Sequence, residues 1–153
     1  MQNIIRVLAA IVTVLSMVAS TGFQIKENGL LVVTLSNIKK TGNIKAAVYR
    51  DGDDFPNDKY FAATESRKYD NGTCSIEFQS IPFGTYAIAI YQDVNGNSKL
   101  DKGMFGIPSE PFAFSNNFRP KFGGPDFDKC KFEFTSDGQQ IKIEMINSLF
   151  GGD

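Results

Sequence analysis

The sequence predicts an all-β protein: an antiparallel β-sandwich of about seven strands, preceded by a signal peptide. Three observations carry that reading. After the first twenty residues the dominant hydrophobic period is two. The connections between the alternating runs are rich in Gly, Asn and Asp. No segment beyond the N-terminus carries a convincing helical stripe. At 153 residues the chain suits one domain.

The N-terminal segment, "MQNIIRVLAAIVTVLSMVAS", stands apart. Arg6 supplies a short positive region, and an apolar run from Val7 to Ala19 follows. Ala19, Ser20 and Gly22 offer small residues for cleavage. This pattern is that of a secretory signal peptide. The run is shorter than the roughly 20 residues that span a bilayer comfortably, which weighs against the alternative of a retained anchor. The chain then divides into a signal peptide at 1–22, one sandwich domain at 23–148 and a frayed tail at 149–153. The mature protein is expected to begin near Thr21 to Gln24 and to be exported, periplasmic or extracellular. No stable membrane insertion is expected after cleavage.

Six alternating runs follow. "GLLVVTLSNI" (29–38) is strongly apolar, and "GNIKAAVYR" (42–50) sets Ile44, Ala46 and Val48 against Lys45, Ala47 and Tyr49. "TCSIEFQ" (73–79) places Cys74, Ile76 and Phe78 on one face. "GTYAIAIYQD" (84–93) does the same with Tyr86, Ile88 and Ile90. "KCKFEFT" (129–135) aligns Cys130 with Phe132 and Phe134, and "QIKIEMI" (140–146) aligns Ile141, Ile143 and Met145. Between these last two, "SDGQQ" holds an Asp-Gly pair, a hairpin signal. A short helix or turn is expected within 58–66.

Two connections are long. The first, 51 to 70, opens with "DGDDFPND". The second, 103 to 128, holds Phe105, Phe112, Phe114, Phe118, Phe122, Phe127 and four prolines. Long loops in compact domains are often functional. Packing of the phenylalanines as a plug over one end of the sandwich is favoured over an exposed sugar- or protein-binding surface, because Phe lacks a polar handle.

Composition excludes several functions. The net charge of −1 and the lack of a basic run argue against nucleic acid as a partner. Histidine is absent, which removes Ser-His-Asp and Cys-His catalysis within this chain. Two cysteines without histidine make a poor zinc site. In an exported chain, Cys74 and Cys130 predict a disulfide, since both sit on inward-facing positions. The other reading is two buried thiols that never meet.

"DVNGNSKLD" (93–101) raises the main chemical question. Asp93, Asn95, Asn97 and Asp101 fall at positions 1, 3, 5 and 9 of a calcium loop, and Lys99 would offer its carbonyl at position 7. A hard cation wants six to eight such oxygens. The match to an EF-hand then fails: Ser98 stands at position 6 and Met104 at position 12, and the preceding segment is a strand. Further ligands would come from Glu110 or from Asp51, Asp53 or Asp54. The competing reading is a plain turn, with Asn-Gly at its tip and Asp93 capping its own backbone.

Residues 81–117, "IPFGTYAIAIYQDVNGNSKLDKGMFGIPSEPFAFSNN", resemble the bacterial secreted family known as domain of unknown function 2141. The matching positions are Gly84, Tyr86, Asp93, Asn95, Asn97, Asp101, Gly106, Pro108, Glu110, Phe114, Ser115, Asn116 and Asn117. "GGPDFDKCKFEF" is similar to that family's closing strand. The resemblance implies a transthyretin-like or Cna-B-like sandwich and no established activity, and it favours the metal reading of the loop. Ser98 departs from the Gly found in many members.

The function expected is therefore an exported, non-enzymatic β-sandwich module stabilised by weakly bound Ca²⁺ at Asp93, Asn95, Asn97, Lys99, Asp101 and Glu110. The alternative is a ligand- or glycan-binding protein that uses the Phe-rich loop 103–128, its partner a glycan or a cell-surface protein. A hydrolase built on Asp101 and Glu110 ranks last.

Overall fold

The computed structural model describes residues 27–57, 59–69, 72–121 and 123–149. The signal peptide lies outside the described residues, as do Asp58, Phe122 and the last four positions of the tail. Eight strands form among the described residues: β1 (Asn28–Ile38), β2 (Gly42–Tyr49), β3 (Ala62–Tyr69), β4 (Gly72–Pro82), β5 (Gly84–Asp93), β6 (Phe112–Phe114), β7 (Phe132–Phe134) and β8 (Gln139–Glu144). One short helix, α1 (Phe127–Cys130), precedes β7.

Two sheets stack. One has the order β4-β1-β8; the other runs β3-β2-β5-β6, with β7 also pairing β5. All pairs are antiparallel except β1 with β8, which is parallel. The alternation explains the stacking. On β4, Cys74, Ile76 and Phe78 are buried while Ser75, Glu77 and Gln79 are exposed, so that sheet has one wet face. Leu31, Val33 and Leu35 of β1 meet Ile44 and Val48 of β2 and Ile88 and Ile90 of β5 in the core between the sheets.

A second apolar cluster lies on the other face of the five-stranded sheet. It joins Ala87, Phe112, Phe114, Cys130 and Ile146, with Phe55, Phe118, Phe127 and Leu149 packed against it. Phe112, Phe114, Phe118 and Phe127 of the Phe-rich segment are packed away, as expected, but over a sheet face and not over one end of the sandwich; Phe105 is 92% exposed at a turn.

Four expectations are corrected. Residues 62–69 form an edge strand paired with β2, where a helix or turn was expected; pairing along a neighbouring strand outweighs weak local helix preference. Cys130 ends a helix capped by the Asp126 side chain, which accepts from the Asp128 N–H; it is not in a strand with Phe132. The Asp-Gly turn forms, with Gly138 at φ 73°. It does not close a hairpin, because β7 joins one sheet and β8 the other. Its Asp137 carboxylate accepts the Leu30 N–H (2.8 Å) and holds the crossing against β1.

The fourth correction is the disulfide. Cys74 and Cys130 are both free and buried. Cys74 belongs to the core between the sheets and Cys130 to the cluster beyond the five-stranded sheet. A layer of backbone separates them, whereas a disulfide needs Cα atoms within about 7 Å. Burial raises the pKa of both thiols, that of Cys130 to about 12, with the Asp126 charge adding to the effect.

Candidate functional site

The loop 93–101 begins where β5 leaves the sheet. The end of β5 is anchored by Gly42, whose missing Cβ lets β2 start directly against the Asp93 and Val94 backbone. Asp93 is buried, at 3% exposure. Its Oδ1 accepts the N–H groups of Gly96 (2.8 Å) and Asn97 (3.1 Å), and its Oδ2 accepts that of Ser98 (2.9 Å). Gly96 and Ser98 both adopt positive φ, which turns successive N–H groups toward that carboxylate.

Glu110 is the second buried carboxylate, at 6% exposure. Its Oε1 accepts the Val94 N–H (2.8 Å) and its Oε2 the Asp101 N–H (3.1 Å). It therefore clasps both ends of the loop. The small hairpin that follows swings it in, with Lys102 bridged to Pro108 and the Ser109 N–H donating to the Asp101 carbonyl (2.9 Å).

Asp101 differs. Asn95 Nδ2 donates to its Oδ2 at 2.5 Å, and Asn97 Nδ2 lies 3.0 Å from both its oxygens. The amide oxygens close local turns: Asn95 Oδ1 accepts the Asn97 N–H (3.0 Å) and Asn97 Oδ1 the Lys99 N–H (2.8 Å). The six residues named from sequence thus separate by role. Asp93 and Glu110 hold backbone. Asn95, Asn97 and Asp101 converge as a polar knot near the surface, and Lys99 enters through its N–H. Asp53 and Asp54 serve their own turn, accepting from the Arg50 N–H and Asn57 Nδ2. Among the described residues no group of three or more His, Cys, Asp or Glu side chains is placed to hold a metal ion.

The family described as "Uncharacterized protein conserved in bacteria (DUF2141)" matches residues 33–142. The chain belongs to this family. No curated protein and no solved structure matches it. In this DUF2141 protein the two-sheet sandwich agrees with the fold the resemblance implied.

The geometry also explains family positions whose role could not be read from sequence. Ser115 follows β6 and sits in the gap between β6 and β7 along the edge of β5. Its Oγ accepts the Ile88 N–H (2.9 Å) that neither strand reaches and donates to the Cys130 carbonyl (2.6 Å). Asn116 Nδ2 donates to the Lys131 carbonyl (2.8 Å), and Asn117 Oδ1 accepts the Glu144 N–H (2.8 Å). "SNN" therefore stitches β5, α1 and β8 together. Its signal in the sequence was a run of polar residues directly after buried Phe114. Among the described residues no helix is long and apolar enough to cross a membrane.

Proposed function

We propose that this DUF2141 protein is an exported, non-enzymatic β-sandwich module whose loop 93–101 takes Ca²⁺ weakly and is stiffened by it. The observation that carries the reading is the convergence of Asn95 and Asn97 on the Asp101 carboxylate at 2.5–3.0 Å. The donor chemistry fits a hard cation, since every available donor is oxygen once the amides turn. Asp101 would hold the ion with the Asn95 and Asn97 amide oxygens and the Lys99 carbonyl. Asp93 has one acceptor position left after its three N–H bonds, and Glu110 supports the loop through its backbone. Bound Ca²⁺ supplies charge and rigidity here, not chemistry.

Affinity is expected to be low for two reasons. One fully available carboxylate contributes little charge, and turning the amides breaks the two turn bonds to their Oδ1 atoms as well as both amide donations to Asp101. The Kd then falls in the extracellular class, about 10⁻⁴ to 10⁻³ M. The non-enzymatic part of the reading rests on Glu110. Buried and bonded to two backbone N–H groups, it is poorly suited to pair with Asp101 in hydrolysis.

The test is a melting curve in chelator and then in millimolar Ca²⁺. At ten times Kd, binding stabilises by about 1.4 kcal/mol, a rise of several degrees. Asp101→Asn should abolish the rise, and Mg²⁺ should do less than Ca²⁺. Identical melting in both buffers, with no binding heat, would leave the loop a turn. N-terminal sequencing of exported protein checks the compartment, with a start near Thr21 to Gln24 expected and an intact Met1 in a membrane fraction refuting it.

A further inference from the structure

We propose that the hairpin 102–108 is a membrane-docking tip, which settles reversibly on an anionic lipid bilayer through Met104 and Phe105 when Ca²⁺ occupies the loop beside it. The dependence on Ca²⁺ rests on the calcium reading of loop 93–101; the tip itself rests on exposure and backbone geometry. Met104 and Phe105 are 79% and 92% exposed, the most exposed large apolar side chains among the described residues. They belong to neither apolar cluster. Phe105 also sits at φ 63°. That region suits Gly or Asn and is an outlier for a bulky side chain. Backbone preference and contact with water would each select another residue here, which points to a partner that rewards the ring.

The tip is firmly mounted. The Gly103 N–H donates to the Ile107 carbonyl (2.7 Å), and Lys102 is bridged to Pro108. At the base, the Ser109 N–H donates to the Asp101 carbonyl (2.9 Å), and Glu110 accepts the N–H groups of Val94 and Asp101. Asp101 therefore belongs both to the loop and to the foot of the hairpin. An ion that stiffens the first stiffens the second. A tip braced in this way loses little ordering entropy on docking.

Shape and charge select the partner. Two successive apolar side chains on a narrow hairpin fall far short of the roughly 20–30 residues that each side of a standard protein interface contributes. The exposed side chains of Lys99 and Lys102, close by in the chain, are of a type depleted at the centre of such interfaces. A lipid surface suits both features. The apolar pair enters the acyl boundary, and the lysines keep their ammonium groups at the phosphates. Calcium decides the sign. Across 93–110 the carboxylates of Asp93, Asp101 and Glu110 outnumber Lys99 and Lys102 by one. A single Ca²⁺ reverses that local charge and turns on attraction to anionic headgroups. Without the ion, a chain of net charge −1 has no field that favours such a surface.

The experiment sediments the exported protein with phosphatidylcholine vesicles, with and without phosphatidylglycerol, in chelator and in millimolar Ca²⁺. Melting curves of the same samples without vesicles read calcium binding separately. Wild type should sediment with the phosphatidylglycerol vesicles in Ca²⁺ and stay in solution in chelator. Met104→Ser/Phe105→Asn removes the apolar pair and puts a residue suited to positive φ at 105, so it should keep the melting shift. Its vesicle binding should fall about tenfold. Lys102→Gln should weaken binding about fivefold. Lys142→Gln, an exposed lysine on β8 in the other sheet, should leave it unchanged. If wild type shows no melting shift, the calcium reading of the loop fails and the gate fails with it. If the shift is present, any of three results overturns the docking proposal: no sedimentation in Ca²⁺, equal sedimentation in chelator, or full sedimentation of the double variant.

Discussion

On the inner face of β5, Tyr86, Ile88 and Ile90 are sealed against the three-stranded sheet. On the outer face of the same strand, Ala87 is buried beneath the Phe-rich segment and Cys130, while Ala89 and Tyr91 border an open groove. One alternating sequence thus meets three environments. Period two says which residues share a face. What covers the face depends on where two long connections fold back. The first, 51–60, covers it with Phe55, and the second covers it with Phe112, Phe114, Phe118 and Phe127. Between them the small side chains of Ala47 and Ala89 are only partly buried.

The largest effect should come from breaking the sealed face. Ile88 is 0% exposed, so Ile88→Ala removes buried methylenes and leaves a cavity, at a cost of about 2–5 kcal/mol. Ala89→Ser, one residue on but beside the groove, should stay within about 0.5 kcal/mol. Urea denaturation of the two variants measures the contrast directly; equal costs would mean that the outer face is as well packed as the inner.

The second prediction sets the two aspartates at either end of the loop against each other. Asp93→Ala strands three backbone N–H groups and should cost about 2 kcal/mol in chelator. Asp101→Ala loses only near-surface bonds to two amides and should cost no more than about 0.5 kcal/mol there. Its effect should emerge only with calcium, as loss of the melting shift. A large cost for Asp101→Ala in chelator would mean that the polar knot holds the fold and not an ion.

The third and smallest effect concerns the two buried thiols, one on each side of the five-stranded sheet. Without reductant, denatured protein should label at both cysteines and native protein at neither. One blocked pair would restore the disulfide. Cys130 keeps its proton up to about pH 12 in the folded chain, against an ordinary thiol value near 9. The folded state therefore holds more protons than the unfolded across that window, so stability falls as pH rises from about 9 to about 12. Cys74 and Tyr86, also raised by burial, act in the same direction. Cys130→Ala should make the alkaline loss shallower, as read from denaturation midpoints.

Much of the fold was legible. The runs at 29–38, 42–50, 73–79, 84–93 and 140–146 became β1, β2, β4, β5 and β8 with small shifts at the ends. Their alternation is a local property, since each residue's facing is set by its neighbours in a pleated chain. The loop was legible in composition only: "DVNGNSKLD" marks a polar turn with Asp93 capping it, and the structure bears out that cap. Glu110, named from sequence as a further ligand, lies at the loop through bonds to the Val94 and Asp101 backbone that could not be read from spacing.

The sequence by itself determined the all-β class, the faces of the strands, the family and the oxygen-rich character of the loop. These rest on period, composition and motif, which act over a few residues. Only the tertiary structure decided that β8 runs parallel to β1, that the Asp-Gly turn crosses between sheets, and that Cys74 and Cys130 lie on opposite sides of β5. It also decided that Ala47 and Ala89 face each other in a groove. Each is a pairing between residues far apart in the chain. Such pairings are set by which apolar surfaces can be buried together, a choice that local alternation leaves open.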